Sequence, residues 1–399
     1  MTSRCPLRLR RRRVATLACA GVACAAPQAV QAGAWSLEPS LATSAEYATN
    51  PLLRPVEPSS GSALVANVGL PLQWDDGARH FELTPRLRAA RATGDSPIGA
   101  HAFYLSMAGD VPTERSDLST SVRFGNDSSA IREPMAGTLI RTDVREDVVD
   151  ANIARTDAVT ERVQSRIEAA WESVDYLDRQ TALASGLFSY RFGTLSGQIS
   201  RRLTDRTRLE LVTQASRYEV TTGTGRQYTY SVQGGLASTV TALWNYELRA
   251  GRSLTEDTTS GLRSHGAVYL AQVARTGERA TWSATFNKSI QPSGFGVLAE
   301  SDDTTLSWRW AATARLSYFV AGRRSQASSS IVGLPIVERI YETASAGLSW
   351  QATETWTMSA QLGRQQVHSD ATLFEAAQSG RGYEFLVTAE RRFGRVRLT

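Results

Sequence analysis

Beyond residue 24 the sequence has no cysteine; Cys5, Cys19 and Cys24 are its only three. The main part of the chain therefore holds no disulfide, no thiolate metal site and no cysteine nucleophile. Lysine is nearly absent as well: Lys288 is the sole one, and the other basic side chains are arginines. No apolar run after residue 32 approaches the roughly eighteen to twenty residues of a membrane-spanning helix, which excludes a helical membrane protein. A β-barrel is not excluded, because its strands alternate and never produce a long apolar run.

Signs of catalysis are equally thin. His80, His101, His265 and His368 lie on separate segments, none at metal-ligand spacing. Ser264-His265 and His368-Ser369-Asp370 carry nucleophile-like letters, but adjacency in sequence does not make a triad. The acid group Asp143, Glu146, Asp147 and Asp150 is interspersed with Arg141, Arg145 and Arg155, which reads as a solvated strand end or loop. Gly223-Thr224-Gly225 is a loop tip between Tyr218 and Tyr228, not a phosphate-binding loop. The expectation is a protein that is not an enzyme and uses no cofactor and no metal.

What is present begins with an export signal over residues 1–32. Arg8 and Arg10 to Arg13 form a basic start, Val14 to Ala26 a short apolar stretch, and Val30-Gln31-Ala32 a small-residue cleavage site. Neither Cys19 nor Cys24 has a leucine three residues before it, as a lipoprotein signal would; Thr16 and Gly21 stand there. The signal also carries the basicity. The whole chain is +5, and six arginines with no acid fall in residues 1–32, so residues 33–399 carry about 5 − 6 = −1. That removes the basic footprint that nucleic-acid binding needs.

From Trp35 onward the dominant period is two. Leu64, Ala66, Val68, Leu70, Leu72 and Trp74 share one face, with Val65, Asn67, Gly69, Pro71 and Gln73 opposite. Phe81, Leu83, Pro85, Leu87 and Ala89 alternate with Glu82, Thr84, Arg86 and Arg88. Thr207, Leu209, Leu211, Thr213 and Ala215 do so with Arg208, Glu210, Val212, Gln214 and Ser216. Alternation over roughly ten residues is the length of a tilted membrane-crossing strand.

A turn word punctuates the strands. Thr113-Glu114-Arg115, Thr160-Glu161-Arg162 and Thr204-Asp205-Arg206 each sit between two strands, and looser forms occur at Thr276–Arg279, Ala312–Arg315 and Thr353–Thr355. Spacing of about 35 to 47 residues marks one repeated hairpin. Longer connections are expected at Thr49–Gly61, Asn126–Asp143, Leu177–Phe192, Ser293–Asp303, Arg323–Val337 and Val367–Gly380. In outer-membrane barrels the short turns face the periplasm and the long loops the exterior. The expected fold is all-β: a transmembrane antiparallel up-and-down β-barrel over residues 33–399, of about eighteen strands, give or take two.

The aromatics sort by end. Trp74, Trp244, Trp282, Trp310, Trp350 and Trp356 lie near short turns. Tyr47, Tyr176, Tyr218, Tyr228, Tyr341 and Tyr383 lie near long loops. Two such groups are expected as belts at the two membrane interfaces. The faces opposite the apolar ones carry charge. Arg86, Arg88, Arg166, Arg208, Arg249, Arg309 and Arg392 are expected inside, together with Glu82, Glu168, Glu172, Glu210, Glu247, Glu384 and Glu390. Seven of each sign give no strong net field, unlike the arginine ladder of an anion-selective pore. The pattern fits both a braced wall and a weakly selective polar channel.

Certain motifs resemble a known family. Pro39-Ser40-Leu41, Glu46-Tyr47 and Asn50-Pro51, the Thr-Glu-Arg turns, and Gln291-Pro292-Ser293-Gly294-Phe295-Gly296-Val297-Leu298 followed by Ser301-Asp302 are similar to the β-barrel porin class of Gram-negative outer-membrane proteins, often encoded beside exopolysaccharide or exosortase genes. The resemblance spans nearly all of residues 33–399 and implies the fold and an outer-membrane location. It implies a passive, porin-like channel for small or carbohydrate-type solutes. Other readings are an accessory barrel for exopolysaccharide export or surface assembly, and a structural or adhesive barrel without conductance. Expected partners are outer-membrane lipid and lipopolysaccharide, the barrel-assembly machinery, and a polysaccharide or small solute. No nucleic acid is expected.

Overall fold

A computed structural model describes residues 33–54, 58–94, 101–129, 144–223, 225–329, 338–369 and 378–398. Residues 1–32, where an export signal is expected, and most of the Asn126–Asp143 connection lie outside the described residues. The strands are β1 Ala34–Leu37, β2 Ser40–Thr49, β3 Ser60–Gly69, β4 Leu72–Asp75, β5 His80–Gly94, β6 Ala102–Pro112 and β7 Ser116–Ser128. Then come β8 Arg145–Ala158, β9 Val163–Tyr176, β10 Tyr190–Arg202, β11 Thr207–Val220, β12 Arg226–Thr239, β13 Trp244–Asp257 and β14 Arg263–Thr276. The last are β15 Ala280–Pro292, β16 Leu298–Ala311, β17 Leu316–Ser329, β18 Arg339–Gln351, β19 Trp356–Ser369, β20 Gln378–Arg392 and β21 Val396–Leu398. A six-residue helix, α1 Arg179–Ala184, lies between β9 and β10.

Neighbours in sequence pair antiparallel all the way round, and β20 returns to pair with β2. The result is a closed barrel of 18 strands. The three surplus pieces continue wall strands past a break: β1 precedes β2, β4 follows β3, and β21 follows β20. The breaks align. Glu38-Pro39, Leu70-Pro71 and Phe393–Arg395 lie side by side, and Pro85 of β5 is level with them. Proline has no N–H to give a ladder, yet its carbonyl still accepts. Leu70 N–H donates to Pro85 O (3.0 Å), Glu38 N–H to Pro71 O (3.2 Å) and Phe393 N–H to Pro39 O (2.9 Å). Below the break β21, β1, β4 and β5 pair again, so the wall continues past Phe393.

The threonine of the turn word has a structural task. Thr160, Thr204, Thr313 and Thr353 each accept, through Oγ1, the N–H groups two and three residues on. Thr113 accepts from Ser116 N–H and Thr241 from Leu243 N–H. A hydroxyl two or three residues before an N–H is the local bond that favours Ser and Thr in tight turns. In the Asp-Asp-Gly turn, Asp76 accepts from Ala78 and Arg79 N–H. Those bonds, Arg79's above all, hold its carboxyl below the usual carboxylate range.

The connections at the opposite end are shorter than the sequence suggested. Strand β16 begins at Leu298, β17 runs to Ser329, β19 to Ser369, and β20 begins at Gln378. Stretches such as Ser301-Asp302-Asp303 and Arg323-Arg324-Ser325 are polar on both faces there, so alternation of hydropathy vanishes while the backbone stays extended.

Faces follow from register. Leu64, Ile167, Ile199, Leu209, Leu211, Leu248, Leu306 and Leu362 lie on one face and are all exposed. That face is the outside, an apolar band of the kind that lipid requires. The other face surrounds the interior.

Candidate functional site

The register places all fourteen charged residues named from the sequence on the inner face: Arg86, Arg88, Arg166, Arg208, Arg249, Arg309 and Arg392 with Glu82, Glu168, Glu172, Glu210, Glu247, Glu384 and Glu390. Many pair two residues apart along one strand, where side chains share a face. Arg166 meets Glu168 at 2.9 Å, Arg208 meets Glu210 at 2.5 Å, and Arg392 meets Glu390 at 3.0 Å. Arg249 pairs with Glu247 and also lies 3.5 Å from Glu210. That i, i+2 spacing was a readable signal of pairing. Inner charges that the sequence reading missed include Asp127, which takes both Arg88 and the Tyr104 hydroxyl, and Asp303, which pairs with Arg323 at 2.8 Å. The partners stand across strands, where only register shows them.

Trp74, Trp244, Trp282, Trp310, Trp350 and Trp356 lie on the outer face near the short turns. Trp244 packs edge-on against Trp282 at 5.0 Å, Trp310 stacks on Tyr318 at 5.8 Å, and Arg391 lies 5.7 Å over Trp356. Tyr47, Tyr228 and Tyr383 are also on the outer face. The structure parts from the belt expectation at Tyr176, Tyr218 and Tyr341, which point inward and are buried. Tyr176 and Tyr218 join one hydrophobic cluster inside the barrel, and Tyr341 a second one with Leu53 and Val367.

The feature that organises the interior is a hairpin that parts from β14 while remaining paired with β17. Pairing of β13 with β14 continues to Glu256 opposite Arg263, and that of β15 with β16 to Pro292 opposite Leu298. The β14–β15 ladder stops early, at Tyr269 opposite Lys288. Beyond that fork the β15–β16 tip slants inward across β14, β13 and β12. Beneath it Thr229, Ser253, Thr255 and Val268 are buried, and Gly266 lies against the Glu300 carboxylate. The tip reaches β11, where Tyr218 Oη donates to Ser293 O at 2.8 Å. Leu298 N–H donates to Gln227 Oε1 at 2.8 Å, and Phe188 N–H to Gly294 O at 2.7 Å. Leu298, Tyr218, Tyr176, Tyr190, Val174, Leu187 and Ala182 of α1 form one buried cluster, against which Phe295 and Ile290 pack. Arg339, at the start of β18, lies 4.5 Å over the Phe295 ring. The chain's sole lysine sits at the fork: Lys288 pairs with Glu300, and Asp302 is 3.5 Å away.

A second segment folds in from the facing side. Asn50 and Leu53 adopt positive φ (52° and 51°), and the Asn50 side chain donates to Arg54 O and Arg381 O. Leu53 is thereby buried against Tyr341 and Val367. The approach needs glycine on β20: a Cβ at Gly380 would fall 1.9 Å from Leu53 O. Both inward segments carry motifs singled out in the sequence, Asn50-Pro51 and Pro292–Leu298. Most of the Asn126–Asp143 connection falls outside the described residues.

Among the described residues, two segments thus occupy the interior at the long-loop end, and the open spaces lie toward the short turns. There it holds spaces of about 490 Å³ and 480 Å³ among residues such as Gln164, Ser200, Arg208 and Gln272. Among the described residues no group of His, Cys, Asp and Glu is arranged to hold a metal. Of the acid group, Glu146 and Asp150 face inward and Asp147 outward; Asp143 lies outside the described residues. His265 and His368 face outward.

A closed antiparallel wall, apolar outside and polar inside, defines a transmembrane β-barrel. No family model matches the chain, and no curated protein matches it. Among solved structures it is similar to OccK9 (OpdG) of Pseudomonas aeruginosa, with TM-score 0.48 and 12% identity over 90% of this chain and 98% of that one. It is similar to the outer-membrane protein OpdK of the same organism (TM-score 0.48, 10% identity, 90% and 99% covered). OccAB3 of Acinetobacter baumannii gives TM-score 0.47 and 10% identity, with 90% and 99% covered.

Proposed function

We propose that the protein is a porin-like channel of an outer membrane, passive and weakly selective, whose outer mouth is closed by its own β15–β16 hairpin. The observation that carries this reading is the fork at Tyr269 and Lys288, beyond which β15 gives up its pairing with β14 while β16 stays paired with β17 to Ala299 opposite Ser329, and the tip packs into the interior. A barrel that served only as a scaffold gains nothing from an unpaired stretch of β14. The short-turn end faces the periplasm and the long-loop end the exterior, as in other barrels of this kind. The paired inner charges suit uncharged or mixed-charge solutes, carbohydrates among them, better than one strongly charged ion.

Purified, folded protein is expected to give discrete currents across a planar bilayer, rare at rest and frequent once the tip Ser293–Val297 is shortened. Absence of current in both forms, with each still showing the heat-modifiable migration of a folded barrel, would remove the channel reading.

A further inference from the structure

The outside of the wall carries a groove of about 340 Å³ across β16 to β19. Its floor is Leu306, Gly322 and Ala344, cross-strand partners in one row that continues to Arg364 and Tyr383. The row above runs Thr304, Arg324, Glu342, Gln366 and Arg381. Gly322 and Ala344 are small, so the wall is low there, with exposed Leu306 on one side and Leu362 on the other.

Arginine heads the recess. Arg324 Nε lies 3.6 Å from Glu342, with both side chains about half exposed, and Arg364 donates to Gln366 at 2.7 Å. Three guanidinium groups in four adjacent strands thus face outward with a single carboxylate among them. Arg364 stands eight residues up β19 from the interfacial Trp356. On a tilted strand that is roughly 20 Å along the membrane normal, near the far edge of an apolar band about 25 Å tall. Tyr383, in the same row, is an interfacial ring at that height. A cation there is tolerated, and an anion from the lipid itself is the group within reach to neutralise it. Planar guanidinium forks match phosphate oxygens two at a time.

We infer that this groove is a binding site for the phosphorylated glycolipid of the outer leaflet, lipid A. A phosphate sits between Arg324 and Arg364, and one acyl chain lies along Gly322 and Ala344. The site is on the opposite surface of the wall from the channel and rests only on the long-loop end facing outward.

The test uses the whole folded barrel in detergent, titrated with bisphosphorylated lipid A and followed by native mass spectrometry. One lipid is expected to bind specifically, with dephosphorylated lipid A weaker by at least about tenfold. The variant R324Q/R364Q is expected to lose a similar factor, and so is G322L/A344L, which fills the floor and keeps both arginines. Heat-modifiable migration establishes that each variant is folded. Equal binding of the dephosphorylated lipid, or unchanged binding by R324Q/R364Q, overturns the proposal. Retention of full affinity by G322L/A344L, or complete displacement by inorganic phosphate, makes this a bare anion site and overturns the lipid assignment.

Discussion

Gln227 and Tyr218 hold the hairpin tip from the wall side, so they offer a direct handle on the closed mouth. Gln227→Ala removes the acceptor of a buried N–H, that of Leu298, and Tyr218→Phe removes the donor to Ser293 O. Loss of a buried hydrogen bond costs about 0.5–1.5 kcal/mol, and up to about 3 kcal/mol where the abandoned group stays dry. The two substitutions together weaken the closed state by roughly 1.5–4.5 kcal/mol if they add. An open state is available to the same chain. Extending the β14–β15 register past Tyr269 and Lys288 sets Ser289–Pro292 beside Val268–His265. That zipping recovers two to four ladder bonds, each worth about 1 kcal/mol net. The open-to-closed ratio of the double variant is therefore expected to rise roughly 10- to 1,000-fold, read as open probability in single-channel records. A cysteine pair, G266C/Q291C, probes the same motion from the other end in a background whose residues 33–399 hold no other cysteine. Oxidation is expected to give a steadily conducting barrel, and reduction to return it to rest. Unchanged open probability in the double variant, together with no disulfide in the pair under oxidation, would refute the hinged hairpin.

Three further outcomes follow from the geometry. Glu210→Gln removes the carboxylate that Arg208 and Arg249 share; reversal potentials in a salt gradient should move toward anions, with a stability loss of about 1–3 kcal/mol. Gly380→Ala forces a Cβ onto Leu53 O; the Asn50–Arg54 segment should be displaced, at about 1–3 kcal/mol, and become open to protease. Thr204→Val deletes the acceptor for two turn N–H groups; since the turn is exposed and water takes over, urea unfolding should show a loss of only about 0.5–1 kcal/mol.

Strands, turns and faces were legible because a wall between lipid and water imposes alternation directly on the sequence. Leu209, Leu211, Arg208 and Glu210 announce their sides without any tertiary information. The inward hairpin was not legible. Residues 289–292 are extended whether they pair with β14 or lie beneath it, and nothing local distinguishes the two layers. The same limit explains Tyr176, Tyr218 and Tyr341. Their nearness to loops suggested an interface, but a tyrosine at a strand end suits a buried cluster with a carbonyl in reach equally well. The charge pairs at i, i+2 were readable, whereas Asp127 and Asp303 needed the register between strands.

The aligned breaks at Pro39, Pro71 and Phe393–Arg395 bring β21 alongside β1, with Leu398 opposite Trp35. The first and last strands are thus adjacent at both levels of the wall, and a two-residue turn would suffice to join Leu398 to Ala34. Seen this way the barrel is a ring of staves with no privileged starting point. A circular permutant, opened instead at the exposed tip Thr258–Leu262, would keep every pairing of the wall and leave the hairpin where it is.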